Sequence, residues 1–262
     1  MAFFQCEFFS NALGRCTSVN VLLPQPAARQ IGMASAGGKT EYPVLYLLHG
    51  LSDNQTIWMR RTSIERYVAA LNLAVVMPDG QRSFYNDLPC GHRYWTYLSE
   101  ELPQLIKSYF PISSRREDTF AAGLSMGGYG ALKLALRRPD RYAFAGSLSG
   151  VTDLAALMRR QELFSAAEWA AVFGDWQHLA GTDLDLLHLV GEVAAAPGPR
   201  PVIRQWVGTG DGLYEDNQAF RRRMEEFPGV FDYRYCEAPG AHTWEFWDEH
   251  IQDLLRELPL QR

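Results

Sequence analysis

Gly123-Leu124-Ser125-Met126-Gly127 separates two stretches of different character. Ahead of it, residues 118–122 (Asp-Thr-Phe-Ala-Ala) form a short apolar run that predicts a strand. Behind it, residues 127–136 (Gly-Gly-Tyr-Gly-Ala-Leu-Lys-Leu-Ala-Leu) have helical spacing, and the helix should stop at Arg138-Pro139. Strand, tight turn and helix in that order make an elbow. Its two glycines let the backbone take a strained turn that lifts the serine Oγ out over the sheet. A bare G-x-S-x-G is common in loops. These flanks give the pattern a structural setting and make Ser125 the candidate nucleophile.

Working outward, near-continuous apolar runs at residues 44–48 and 73–77 suit strands buried on both faces of a parallel sheet. Residues 18–23 alternate and end at Pro24, as an early antiparallel strand would. Further strands are expected at 119–122, 143–148, 202–207 and 231–236, and an exposed loop at 25–42. Helices are expected at 99–109, 218–227 and 244–258. The first has serine and acidic residues at its start and Pro103 in its early part, where a missing N–H costs least. Strands alternating with helices imply an α/β fold with a mostly parallel central sheet and helices on both faces.

Residues 152–193 break the alternation, because they carry helical stretches but no clear strand. Their apolar residues, including Leu154, Leu157, Leu163, Trp169, Phe173 and Trp176, either pack in the core or belong to a small helical insertion folded over the site. No second core follows the proline-rich segment 197–201, so residues 1–262 are expected to form a single domain.

The chain has 262 residues, 47% hydrophobic, and a formal net charge of −5. That charge argues against a nucleic-acid or anionic-membrane surface. No apolar run is long enough to span a membrane. Residues 1–9 lack the basic start and long apolar stretch of a signal peptide. Cys6, Cys16, Cys90 and Cys236 are scattered, as expected of free thiols in a cytoplasmic protein.

A serine hydroxyl needs a base held by a third group, and in elbows of this kind the chain order is serine, acid, histidine. His178 and His188 precede the late strands, and His250 sits in the last helix, spaced as a packing residue. His242 lies in the loop after the last strand, where sites in open α/β sheets collect. Asp211 occupies the first turn after strand 202–207 and is the candidate acid; Glu215 and Asp216 read as the acidic start of the next helix. The oxyanion donors are expected to be the backbone N–H groups of Met126 and of Leu51, in the loop Leu48-His49-Gly50-Leu51. His49 is then a loop-organising residue. A metal site on His242, Glu245 and His250 lacks H-E-x-x-H and leaves the elbow unexplained, so no metal and no cofactor are expected. Trp58, Tyr85, Trp95 and Trp244 sit near these loops and either line the substrate pocket or simply pack.

With these residues in place the chain resembles the esterase D group of α/β-hydrolases, and within it the small bacterial tributyrin esterases. The likeness rests on Phe8-Phe-Ser-Asn-Ala-Leu-Gly, Leu47-Leu-His-Gly-Leu, Tyr94-Trp-Thr-Tyr-Leu-Ser-Glu-Glu-Leu-Pro, Gly123-Leu-Ser-Met-Gly-Gly, Gly210-Asp and Ala241-His-Thr-Trp-Glu-Phe-Trp. It implies an α/β-hydrolase fold and a carboxylesterase acting on short-chain, small-molecule esters. Ser125, Asp211 and His242 would be its triad, and a homo-oligomer is expected. The similar S-formylglutathione hydrolases usually carry a cysteine two residues beyond the position of Leu51; here that residue is Asp53. Carbohydrate esterases of the acetyl or feruloyl type, an acyltransferase using the same triad, and an inactive binding module are the competing readings.

Overall fold

The computed structural model describes residues 1–33, 35–160 and 163–260. One eight-stranded sheet runs in the order β1-β2-β4-β3-β5-β6-β7-β8. Its strands are β1 (Ala2–Ser10), β2 (Arg15–Leu23), β3 (Val44–Leu48), β4 (Ala74–Pro78), β5 (Thr119–Leu124), β6 (Phe144–Leu148), β7 (Val202–Gly208) and β8 (Tyr233–Ala238). The pairs β1–β2 and β2–β4 are antiparallel; every other neighbouring pair is parallel.

The apolar runs that predicted parallel strands are buried at every position in β3, β4 and β6. Successive side chains in a strand point to opposite faces. Val44, Tyr46 and Leu48 accordingly enter one core and Leu45 and Leu47 the other. The first core is covered by the short α3 (Tyr94–Thr96), α4 (Leu102–Tyr109), α5 (Met126–Arg137), α6 (Leu154–Arg160), α7 (Ala166–Phe173), α8 (Leu186–Ala195) and α9 (Tyr214–Glu225). The second is covered by α1 (Ile57–Arg61), α2 (Ile64–Val68) and α10 (Trp244–Glu257), which buries Phe246, Trp247, Ile251, Leu254 and Leu255. No helix among the described residues is long and apolar enough to cross a membrane.

Three expectations need correction. Residues 2–10, read only for a targeting signal, form β1 and pair along their whole length with β2. Phenylalanines on both of its faces hide the alternation. The helix expected from Ser99 starts earlier: α3 runs through a π-helical turn, Tyr97–Glu101, into α4. Ser99 is buried inside that run, and the acidic pair works elsewhere. Glu101 accepts the Asn11 N–H at 2.7 Å at the β1–β2 hairpin, and Glu100 pairs with Arg138 and Arg141. The last strand sits two residues later than expected, at Tyr233–Ala238.

Helix α5 is buried from Met126 to Leu136, and its entry fixes the elbow. A Cβ on Gly127 would lie 2.4 Å from the Leu48 carbonyl oxygen, and one on Gly123 would lie 2.5 Å from that of Gly127. Both contacts are with backbone, which cannot swing aside. Gly127→Ala is therefore expected to lower unfolding free energy by about 3 kcal/mol or more, the upper range for overpacking. Gly212→Ala, where a Cβ meets nothing within 4 Å, should shift it by less than about 1 kcal/mol. Urea titration of the two variants makes the comparison.

Candidate active site

Ser125 sits between β5 and α5 with φ 52° and ψ −119°, a region L-residues rarely occupy. Such a residue costs roughly 1–3 kcal/mol and persists only where its surroundings hold it. Here its N–H donates to the Leu148 carbonyl at 3.0 Å, and its own carbonyl accepts from Val151 at 3.2 Å and Tyr129 at 3.1 Å.

The serine Oγ lies 3.0 Å from His242 Nε2, and His242 Nδ1 lies 3.0 Å from each oxygen of Asp211. The Asp211 side chain is fully buried, while about a third of His242 (35%) is exposed. Burial pushes the Asp211 carboxyl up, but its hydrogen bonds and charge interaction with His242, and the Leu213 N–H at 2.8 Å, together hold it below its ordinary range. An ionised carboxylate only accepts, so Nδ1 carries the proton toward Asp211 and Nε2 is free to accept from the serine hydroxyl.

Two loops bring that pair together. Thr209 N–H donates to the Ala238 carbonyl at 2.9 Å and Gly210 N–H to the Gly240 carbonyl at 2.8 Å, lacing the loop after β7 to the loop after β8. Gly208 permits the crossing, since a Cβ there would meet the Gly240 oxygen at 2.5 Å. The Trp247 ring then supports the imidazole edge-on at 4.9 Å.

Met126 is the first residue of α5, so its N–H has no acceptor within the helix and points from the positive helix end. The other expected donor, Leu51, follows Gly50, where a Cβ would lie 2.7 Å from Leu124 Cδ1 and 3.9 Å, an ordinary contact, from Ser125 Cβ. His49 organises this loop as expected. Its Nδ1 donates to the Gly50 carbonyl at 2.7 Å, and its Nε2 accepts the Gly80 N–H at 2.8 Å. Tyr85 Oη donates to the His49 carbonyl at 2.9 Å. Tyr85 and Phe84 both have positive φ, 53° and 49°. Lys133 Nζ on α5 holds that strained pair, donating to the Tyr85 carbonyl at 2.9 Å and to the Asn86 side chain. The lysine is wholly buried, and burial drives its pKa well down.

A cavity of about 800 Å³ opens over Ser125. Leu124, Leu157, Leu163, Leu213, Trp244 and Trp247 form its apolar walls, with Asp53, Arg61 and Glu245 beside them. Of the aromatics proposed for the pocket, only Trp244 lines it. Trp58 is buried behind Trp244, edge-on at 5.3 Å, with Nε1 donating to the Leu48 carbonyl. Tyr85 lies behind the loop of His49, Gly50 and Leu51, and Trp95 lines a separate cleft, its ring under Arg137 at 4.1 Å. Position near a motif loop does not say which way a side chain points. The segment 152–193 divides: Leu157 and Leu163 reach the cavity, whereas Trp169 and Phe173 pack with Phe84 in the core. His250 packs on Phe246, as its helical spacing implied.

The chain belongs to the putative esterase family, whose sequence model matches residues 10–258. It is 33% identical over 260 residues to an acetyl esterase of Caldicellulosiruptor saccharolyticus, covering 96% of both chains. Its fold matches the fluorophosphonate-binding serine hydrolase F of Staphylococcus aureus with a TM-score of 0.88 and 32% identity, over 99% of each chain. It matches an S-formylglutathione hydrolase of Staphylococcus aureus with a TM-score of 0.84 and 31% identity, over 98% of each. The chain is a serine carboxylic ester hydrolase with the α/β-hydrolase fold, consistent with its resemblance to the esterase D group.

The depressed Asp211 pKa has a pH signature. A carboxyl lowered by folding adds stability that is complete above its ordinary value and is lost as pH falls through the folded one. Urea unfolding should therefore weaken more steeply below about pH 4 for the wild type than for Asp211→Asn. Equal slopes would show that this carboxylate carries no such linkage.

Proposed function

We propose that the chain hydrolyses short-chain acyl esters through an acyl-enzyme on Ser125. The observation that carries this reading is the hydrogen-bonded path from Ser125 Oγ through His242 to the buried Asp211, with both steps at 3.0 Å. His242 takes the hydroxyl proton as Oγ attacks the ester carbonyl. Asp211 holds the imidazole tautomer and stabilises its cation. The N–H groups of Met126 and Leu51 receive the oxyanion. The imidazolium then protonates the departing alcohol, and water repeats the sequence to release the acid. The acetyl esterase relative supports a small acyl group. One sheet carries Ser125, Asp211 and His242 at its strand ends, which supports a single catalytic domain.

Ser125→Ala is expected to lower turnover of 4-nitrophenyl butyrate by about 10⁴-fold or more while the protein stays folded. Activity within tenfold of wild type would sink the assignment. A fluorophosphonate probe should add its mass to the peptide holding Ser125 and to no other. Across 4-nitrophenyl esters of rising acyl length, kcat/KM should peak at the short end and exceed that for a glutathione thioester.

Tyr85 supports the loop that presents Leu51, so Tyr85→Phe should act through oxyanion geometry. Direct removal of an oxyanion donor costs about 10²–10³-fold in kcat; for this indirect support we expect about tenfold, with KM little changed. Steady-state kinetics on the butyrate ester reads the split. A change confined to KM would place Tyr85 on the substrate side instead.

A further inference from the structure

A second cavity, of about 610 Å³, opens at the C-terminal end of α10 and shares no lining residue with the catalytic one. Helix α10 joins the two. Trp244 and Trp247 in its first turn wall the catalytic cavity, whereas Leu255 in its last turn and Leu258 just beyond it wall the second. A helix of 14 residues is about 21 Å long, so these are separate sites. Leu255 and Leu258 are buried, and Leu71 and Leu260 complete the apolar wall. The polar side chains that line the cavity divide into those already engaged and those free. Tyr67 Oη donates to Asp248 Oδ1 at 2.9 Å and Gln252 Nε2 to the Asp248 carbonyl at 3.1 Å, while Asn72 Oδ1 is buried out of reach. Lys39, on the loop before β3, is exposed and makes no hydrogen bond or ion pair within the described residues. Arg256 gives Nη1 to Asp253 at 2.6 Å, which leaves its Nε–Nη2 edge free.

We propose that this second cavity binds a free medium-chain fatty acid, its alkyl chain along Leu71, Leu255, Leu258 and Leu260 and its carboxylate between Lys39 and Arg256. Two cations and no carboxylate are among the described residues that line it, although the whole chain carries a formal net charge of −5. Such a lining complements an anion with an apolar tail. The free Nε–Nη2 edge of Arg256 matches a planar carboxylate with two parallel hydrogen bonds, and Lys39 adds a point charge. The volume lies within the roughly 300–1,000 Å³ of small-ligand sites, where apolar walls supply contact and a few polar groups fix orientation. The negative net charge disfavours approach to an anionic bilayer, so the ligand is the dissolved acid and not a lipid surface. The site does not rest on the hydrolytic reading, because its ligand holds no ester and touches neither Ser125 nor His242.

Dodecanoate carrying a diazirine in its chain locates the site in the wild-type full chain. On irradiation the diazirine loses N2, and the carbene left behind inserts into a neighbouring C–H or O–H bond. Peptide mass spectrometry should find the label within residues 67–72 and 252–260, and excess unmodified dodecanoate should suppress it. Dodecyltrimethylammonium, with the same chain and the opposite charge, should not suppress it. Calorimetric titration with dodecanoate should give a Kd at least about tenfold higher for Lys39→Glu/Arg256→Glu, whose circular dichroism checks its fold. Lys39→Arg, which keeps the charge, should bind within about twofold of wild type. Label at both cavities still supports the second site. Label confined to the walls of the catalytic cavity, no label at all, equal suppression by the two detergent-like ions, or undiminished binding by the folded double variant overturns the proposal.

Discussion

The backbone of Gly127 rests against the Leu48 and His49 carbonyl oxygens so closely that a Cβ would sit 2.4 and 2.7 Å from them. That contact between the first turn of α5 and the end of β3 sets the rest of the site. It brings the helix N-terminus, with the free N–H of Met126, beside the loop that carries Leu51. It also forces the chain from β5 into α5 through one residue, and that residue, Ser125, takes the positive φ that presents its Oγ. The strain is local and small beside the burial it accompanies. Fully burying one large apolar side chain is worth about 1.5–3 kcal/mol, and α5 buries several.

The second half of the site depends on a weaker but equally specific device. Asp211 and His242 sit on loops from different strands, and backbone hydrogen bonds between those loops hold them at the distance a shared hydrogen bond requires. Because the lacing uses main-chain atoms, the side chains between can vary while the spacing stays. The glycine at 208 is the exception, since its Cα is the point of closest approach.

Features set by periodicity and chain order were legible in the sequence. The buried parallel strands appear as unbroken apolar runs. Ser125, Asp211 and His242 follow from the elbow and from the ends of the last two strands. Features set by direction were not legible. Tyr85 and Trp58 neighbour the right loops, yet their side chains support those loops from behind. Trp247, one helical turn past the predicted Trp244, supports His242 and lines the cavity, and the Trp-Glu-Phe-Trp spacing at 244–247 was the available signal. β1 escaped notice because a strand with phenylalanine on both faces has no alternation to detect. A lysine in a helical run carries no sign of burial in the sequence, and only the tertiary structure shows that α5 has no solvent-facing side at Lys133.

Lys133 also bears on why the support behind the His49–Leu51 loop is polar. Taking an ammonium out of water costs several kcal/mol unless its donors are met, and here burial shifts the group toward its neutral form. The Tyr85 carbonyl, the Asn86 side chain and the faces of Trp95 and Tyr129 surround it and offset part of that cost. An apolar side chain of similar size would fill the space more cheaply, but it could not fix the Tyr85 carbonyl. Phe84 and Tyr85 need such a restraint, because two successive non-glycine residues at positive φ relax wherever they are free to. Once the turn is fixed, Tyr85 Oη reaches the His49 carbonyl and His49 braces Gly50. The buried lysine thus trades stability for the placement of one backbone N–H, two hydrogen-bonded residues away.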